Sequence, residues 1–165
     1  MSKPRGRSKL RAVLIAYVCL LALSYLVSAV REPAEPRSSA DQKVEIEASE
    51  LAYRELRSEL SGPVVVLLHG SPGSSSDFDR MLELGAFGSR RVLIPDLPGF
   101  GRSAQEVPDY SVKAHARYLL GLTNRLQIKQ VDLVGFSMGG GVALEFAALA
   151  PEKVRSTTLL SAIGV

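Results

Sequence analysis

The sequence predicts an α/β fold, a mostly parallel sheet flanked by helices and preceded by one transmembrane helix. Three observations carry that expectation. Short β-branched apolar runs at 63–68, 91–95 and 130–134 alternate with longer helix-like stretches at 111–126 and 138–150 across short loops, the pattern of βαβ units. Residues 12–30 contain no charge. A glycine-flanked serine, Gly135-Phe136-Ser137-Met138-Gly139, joins the last of those strands to the last of those helices.

The amino end reads as a membrane segment. Lys3, Arg5, Arg7, Lys9 and Arg11 make residues 1–11 a basic flank. As a helix, residues 12–30 are about 28 Å long, close to the roughly 30 Å hydrocarbon core of a bilayer. Cleaved signal peptides usually carry a shorter apolar region of about 7–15 residues, so the segment reads as an uncleaved signal-anchor. Cleavage near Val27-Ser28-Ala29 is the alternative and would give a secreted or periplasmic product. The basic flank places the N-terminus in the cytoplasm and the rest on the far side of the membrane. Cys19, the single cysteine, lies within this segment, which excludes an intrachain disulfide. Residues 31–42, with Pro33, Pro36, Ser38 and Ser39 among charges, read as a linker.

Residues 43–165 are expected to form one domain. The alternation Val44-Glu45-Ile46-Glu47 opens a strand pair over 43–56. Pro63 and the run V-V-V-L-L behind it suit a central, fully buried strand. Residues 77–85 suit a short helix and 91–95 a further strand. Ser111 is the expected N-cap of the helix over 111–126, which places His115 on a surface or groove-lining face. The helix over 138–150 stops at Pro151, and 155–162 is the last expected strand.

Charge does not point to nucleic acid. The formal charge is +3, but without the five basic residues before Ala12 it is −2, so the basic balance belongs to the membrane flank. No internal repeat, metal-ligand cluster or phosphate-binding G-x-x-x-x-G-K motif is present. No cofactor and no metal are expected, and the expected partners are a small-molecule substrate and the membrane.

Three motifs carry chemistry. A serine hydroxyl attacks a carbonyl only when a base takes its proton and a sharp turn presents it. Gly135 and Gly139 supply the small neighbours that such a strand-to-helix turn needs. The helix behind Ser137 directs its free N–H groups at the reacting centre, which makes the Met138 N–H one oxyanion donor. Upstream, His69-Gly70-Ser71-Pro72-Gly73 follows the strand at 63–68, and Ser71 is assigned the second oxyanion N–H. His69 reads as structural, because it precedes the serine in the chain. Asp96-Leu97-Pro98-Gly99-Phe100-Gly101-Arg102-Ser103 is a tight loop beside the site. Asp96 reads as loop-shaping, with Gly99 and Gly101 allowing its turns.

These motifs, in this order, resemble the α/β-hydrolase fold superfamily, over about residues 44–165. The resemblance is nearest to the branch of small carboxylesterases, carbon–carbon bond hydrolases of aromatic degradation and cofactor-free haloperoxidases. It implies a serine hydrolase acting on an ester-like carbonyl, with Ser137 as nucleophile. Serine at that position argues against the epoxide hydrolases and haloalkane dehalogenases, which carry aspartate there. The superfamily's chain order is serine, then acid, then histidine. The 28 residues after Ser137 contain Glu145 and Glu152 and no histidine. The expectation is therefore an inactive C-terminally truncated fragment. The alternatives are a non-catalytic membrane-tethered module complete at Val165, or the same fold used for carbon–carbon bond hydrolysis, thioester hydrolysis or acyl transfer.

Overall fold

A computed structural model describes residues 5–30 and 42–164. The chain divides into two compact units, Met1–Arg37 and Ser38–Val165.

The first unit is helix α1, Arg5–Val30, so the helix takes in most of the basic flank as well as the apolar run. Between Val13 and Leu26 every large apolar side chain is more than half exposed, from 52% at Leu21 to 76% at Tyr25. Among the described residues no helix is long and apolar enough to cross a membrane. Side chains of α1 are described for 13–26 only, so the expected span of 12–30 runs past the described ones at both ends. The expected linker lies outside the described residues up to residue 41, and its last residue, Gln42, instead opens the first strand.

The second unit is a six-stranded sheet, β1 Gln42–Ile46, β2 Ser49–Leu56, β3 Val64–Leu68, β4 Val92–Pro95, β5 Val131–Phe136 and β6 Val154–Leu160. Their order across the sheet is β1-β2-β4-β3-β5-β6. The β1–β2 hairpin adds antiparallel to β4, while β4, β3, β5 and β6 run parallel. β3 sits in the middle of the parallel part, and all five of its side chains are buried. That is why it reads as a continuous apolar run instead of an alternating one.

Helices fill both faces. Val64, Val66 and Leu68 of β3 pack with α3 (Val112–Arg125) and α4 (Met138–Leu149) through Leu119, Leu122, Val142 and Phe146. Val65 and Leu67 point the other way, onto Phe78 of a 3-10 turn and onto Met81 and Leu82 of the short helix α2, Asp79–Glu83. Each large apolar side chain so buried contributes about 1.5–3 kcal/mol. The connection after β3 thus runs over one face, and those after β4 and β5 run over the other. β3 and β5 are neighbours, so a crevice opens between their C-terminal ends, where α/β sheets hold ligands.

At the opposite end of the sheet Asp132 of β5 is nearly buried, at 5% exposure. It accepts hydrogen bonds from Arg155 Nε at 2.9 Å and Ser156 Oγ at 2.6 Å, and it pairs with Arg90. The Arg155 hydrogen bond, with those of Ser156 and Arg90, holds the carboxyl well below the usual carboxylate range. A depressed carboxylate contributes stability that is full above its unfolded pKa of about 3.9 and is lost as pH falls below it. Asp132→Asn is expected to cost about 1–3 kcal/mol at pH 7 and to flatten the acid limb of the stability curve below about pH 4. Urea unfolding midpoints between pH 7 and pH 3 test this, and an unchanged acid limb would contradict it.

Candidate active site

β5 ends at Phe136 and α4 starts at Met138. Ser137 between them has φ 51 and ψ −114, a region that side-chain-bearing residues rarely occupy and that costs on the order of 1–3 kcal/mol. Its hydroxyl does not cap the helix, although serine at an N-cap usually does. The backbone is pinned instead by Ser137 N–H donating to Leu160 O at 3.0 Å and by Ile163 N–H donating to Ser137 O at 3.1 Å. Strain is thus held by neighbouring chain, and the hydroxyl stays uncommitted.

The glycines of the motif permit a close approach. A Cβ at Gly139 would run into the carbonyl oxygens of Leu68 and His69, and one at Gly135 would meet the backbone of Gly139 and Gly140. The start of α4 therefore lies directly over the end of β3. Gly70, just past β3, faces Ser137: a Cβ there would sit 3.2 Å from Ser137 Cβ and 3.0 Å from the Phe136 ring. The structure thus brings Gly70, Ser137 and the first turn of α4 together. Ser71 follows in an exposed loop and is joined to Pro72 by a cis peptide bond. Met138 is half-buried against the core under α4.

Two side chains fasten the surrounding loops. His69 is fully buried; its Nδ1 lies 2.8 Å from Gly70 O, and Leu97 N–H donates to its Nε2 at 2.9 Å. An N–H donor at Nε2 requires the proton to sit on Nδ1, so the ring is neutral and both nitrogens are engaged. Burial holds its pKa below the ordinary histidine value. Asp96 is also buried and accepts from Ser75 N–H at 2.6 Å and Arg102 N–H at 2.9 Å. Gly101, at φ 53, sits so close to that carboxylate that a Cβ would overlap it, and Gly99, at φ 87, is in similar contact with the Tyr110 ring. Gly73 is crowded by the Asp77 carboxylate and Gly70 O. Asp96 and His69 thus tie the loop after β3 to the loop after β4.

His115 is corrected by the structure. It is completely buried, facing Phe100 from the inner side of α3, where a surface or groove position was expected. The loop that carries Phe100 folds over that turn of α3 and covers it. Sequence reasoning also passed over Ser103, Ser75 and Arg54. Ser103 Oγ donates to Asp96 O at 2.6 Å and accepts from Ala52 N–H at 2.9 Å, locking the β4 loop to β2. Arg54, buried in β2, reaches Asp79 at 2.6 Å and Ser75 O. Only Ser103 stood inside a recognisable motif. Among the described residues no group of three or more histidine, cysteine or acidic side chains gathers to hold a metal. A cavity of about 560 Å³ beside Ser61, Arg91 and Lys129 lies at the N-terminal ends of the parallel strands, away from Ser137.

Comparison with known proteins agrees with this geometry. Over residues 63–164 the chain matches the family model described as alpha/beta hydrolase fold. It is 37% identical over 108 residues to a 2-hydroxymuconate semialdehyde hydrolase of Pseudomonas sp. (strain CF600), covering 64% of this chain and 38% of that protein. It is 32% identical over 129 residues to a haloalkane dehalogenase of Mesorhizobium japonicum, covering 78% and 41%. The solved structure of a meta-cleavage product hydrolase (CumD) superposes with a TM-score of 0.67 at 26% identity, over 76% of this chain and 46% of that one. The chain spans less than half the length of these relatives. The elbow geometry, the sheet order and the family match together place the chain in the α/β-hydrolase fold family.

Proposed function

We propose that the chain carries the nucleophile and oxyanion-binding part of a membrane-anchored serine hydrolase that acts on an ester-like carbonyl. The observation that carries the reading is the backbone of Ser137, held at φ 51 and ψ −114 at the start of α4 with its hydroxyl uncommitted. Strain of that kind persists only where surrounding structure enforces it, and it is concentrated at functional sites. Ser137 Oγ would attack the carbonyl carbon. The charge that develops on the carbonyl oxygen would be met by the N–H groups of Met138 and Ser71, with the α4 dipole behind the first. Neither histidine of the chain is placed to take the serine proton. Both His69 nitrogens are engaged, and His115 is sealed beneath Phe100. The reading therefore assigns the general base, and the acid that orients it, to residues outside 42–164.

A second reaction on the same site is favoured by one observation. Relatives and structural neighbours include proteins named 2-hydroxymuconate semialdehyde hydrolase and meta-cleavage product hydrolase. Carbon–carbon bond hydrolysis would use the same oxyanion site, with a different leaving group. The similarity to a haloalkane dehalogenase is read as shared fold, because serine occupies the elbow.

A fluorophosphonate probe tests the nucleophile. The intact protein is expected to be labelled, and Ser137→Ala to lose labelling by about 10²-fold or more with its thermal unfolding unchanged. Equal labelling of the two proteins would sink the assignment. Anchoring rests on the uncharged run at 12–30, the basic flank before it and the exposed apolar side chains of α1. The intact protein is expected to stay with membranes through alkaline carbonate extraction, and a form lacking residues 1–30 to be released. Release of both would remove the anchor from the proposal.

A further inference from the structure

The two histidines of the chain both neighbour one phenylalanine ring. Phe100 meets His69 edge-on, with ring centroids 5.4 Å apart and planes inclined at 67°. It meets His115 at 6.1 Å and 55°. Both imidazoles are fully buried, but they are wired differently. His69 has both nitrogens satisfied and joins the loop after β3 to the loop after β4. His115 has no hydrogen-bond partner at either nitrogen. A buried polar group without a partner is costly, and an apolar side chain of similar size would avoid the cost. The proposed chemistry at Ser137 does not use His115.

We propose that His69, Phe100 and His115 form an acid-operated latch on the two loops that frame Ser137, closed while both imidazoles are neutral and opened when either is protonated. A proton on His69 Nε2 would set an N–H against the Leu97 N–H, two donors facing each other, and break the tie between the loops. A proton on His115 would leave a cation in the core with no acceptor, beside the Phe100 ring of the β4 loop. The charged groups around the pair are few. His115 faces His69 and, from the segment before α3, Asp109. His69 faces Asp96 from the β4 loop and Asp77 from the 3-10 turn. Those carboxylates favour protonation, but burial outweighs them and lowers both pKa values, that of His115 being lowered further by His69.

The sign follows from linkage. Unfolded histidines take protons near pH 6.5, whereas the buried ones resist. Stability is therefore full above about pH 6.5 and falls as pH drops below it, until the lowered folded values are reached. The latch stands on its own geometry, and only its effect on turnover rests on the serine hydrolase reading.

Proton NMR of the intact protein from pH 8 to pH 4 reads the two imidazoles directly. Both ring signals are expected to keep their neutral positions below the ordinary histidine value of about pH 6.5 and to move only as native amide signals of Gly70 and Leu97 disappear. Titration of His69 or His115 near pH 6.5 while those amides stay native would overturn the proposal. His115→Leu is expected to unfold at a higher temperature than the parent and to lose less on going from pH 7 to pH 5. The pH of half-maximal fluorophosphonate labelling should fall relative to the parent. The same acid sensitivity in parent and variant would also overturn it. His115→Met and the parent titration decide the matter if the leucine form does not fold. Absence of labelling at pH 8 would count against the serine reading alone, because the NMR titration does not depend on it.

Discussion

The first turn of α4 begins in backbone contact with the end of β3, and the geometry of the site depends on that contact. Gly139 faces the carbonyls of Leu68 and His69, Gly135 faces the backbone of Gly139 and Gly140, and Gly140 faces Ala162. No side chain separates helix from sheet, so Ser137 is squeezed into a left-handed backbone at the mouth of the crevice. The positive end of the helix dipole then lies at the Ser137 turn. Overpacking a well-filled core typically costs 1–3 kcal/mol, and here the atoms in the way are backbone, which cannot rotate aside. Replacing any of these glycines is therefore a change to the site as much as to the fold.

Around this contact the loops are held by buried polar groups that the apolar sheet could not hold. Asp96 collects two backbone N–H groups, Ser103 stitches its carbonyl to β2, and His69 spans the two loops. Each is satisfied, which is the condition for a buried polar group to rigidify instead of destabilise. The opposite end of the sheet uses a different device, a nearly buried carboxylate shared by two half-exposed arginines. One end is fixed by hydrogen bonds in short loops and the other by ion pairing across β5 and β6, so salt and acid act on the two ends unequally.

Much of the fold was legible because it is written in short-range pattern. The runs of β3 and β5 are apolar because both faces are covered, and the N-cap at Ser111 is present, its hydroxyl accepting from Ala114 N–H. The elbow was legible because its strain demands glycine on either side of the serine. What escaped depends on residues far apart in the chain. Arg54, Ser75 and Ser103 are ordinary until β2 is laid beside β4, and the burial of His115 shows only once the Phe100 loop is packed beside α3. The β1–β2 turn escaped for another reason. Glu47 and Ala48 both take positive φ, 50 and 61, a conformation usually signalled by asparagine or glycine.

The hairpin gives the domain a mechanical order. β1 is the outermost strand and the first in the chain, so tension drawn through the amino end loads it before any other strand. It is five residues long, and its deepest anchor is Ile46, whose side chain presses on Gly121 of α3. β2 is clamped more firmly, through Arg54 to Asp79 and through Ala52 to Ser103. A pull from that end would meet β1 first, and the firmer clamps of β2 only afterwards. The edge strand would thus yield locally under a load applied at the amino end, before the load reaches the crevice.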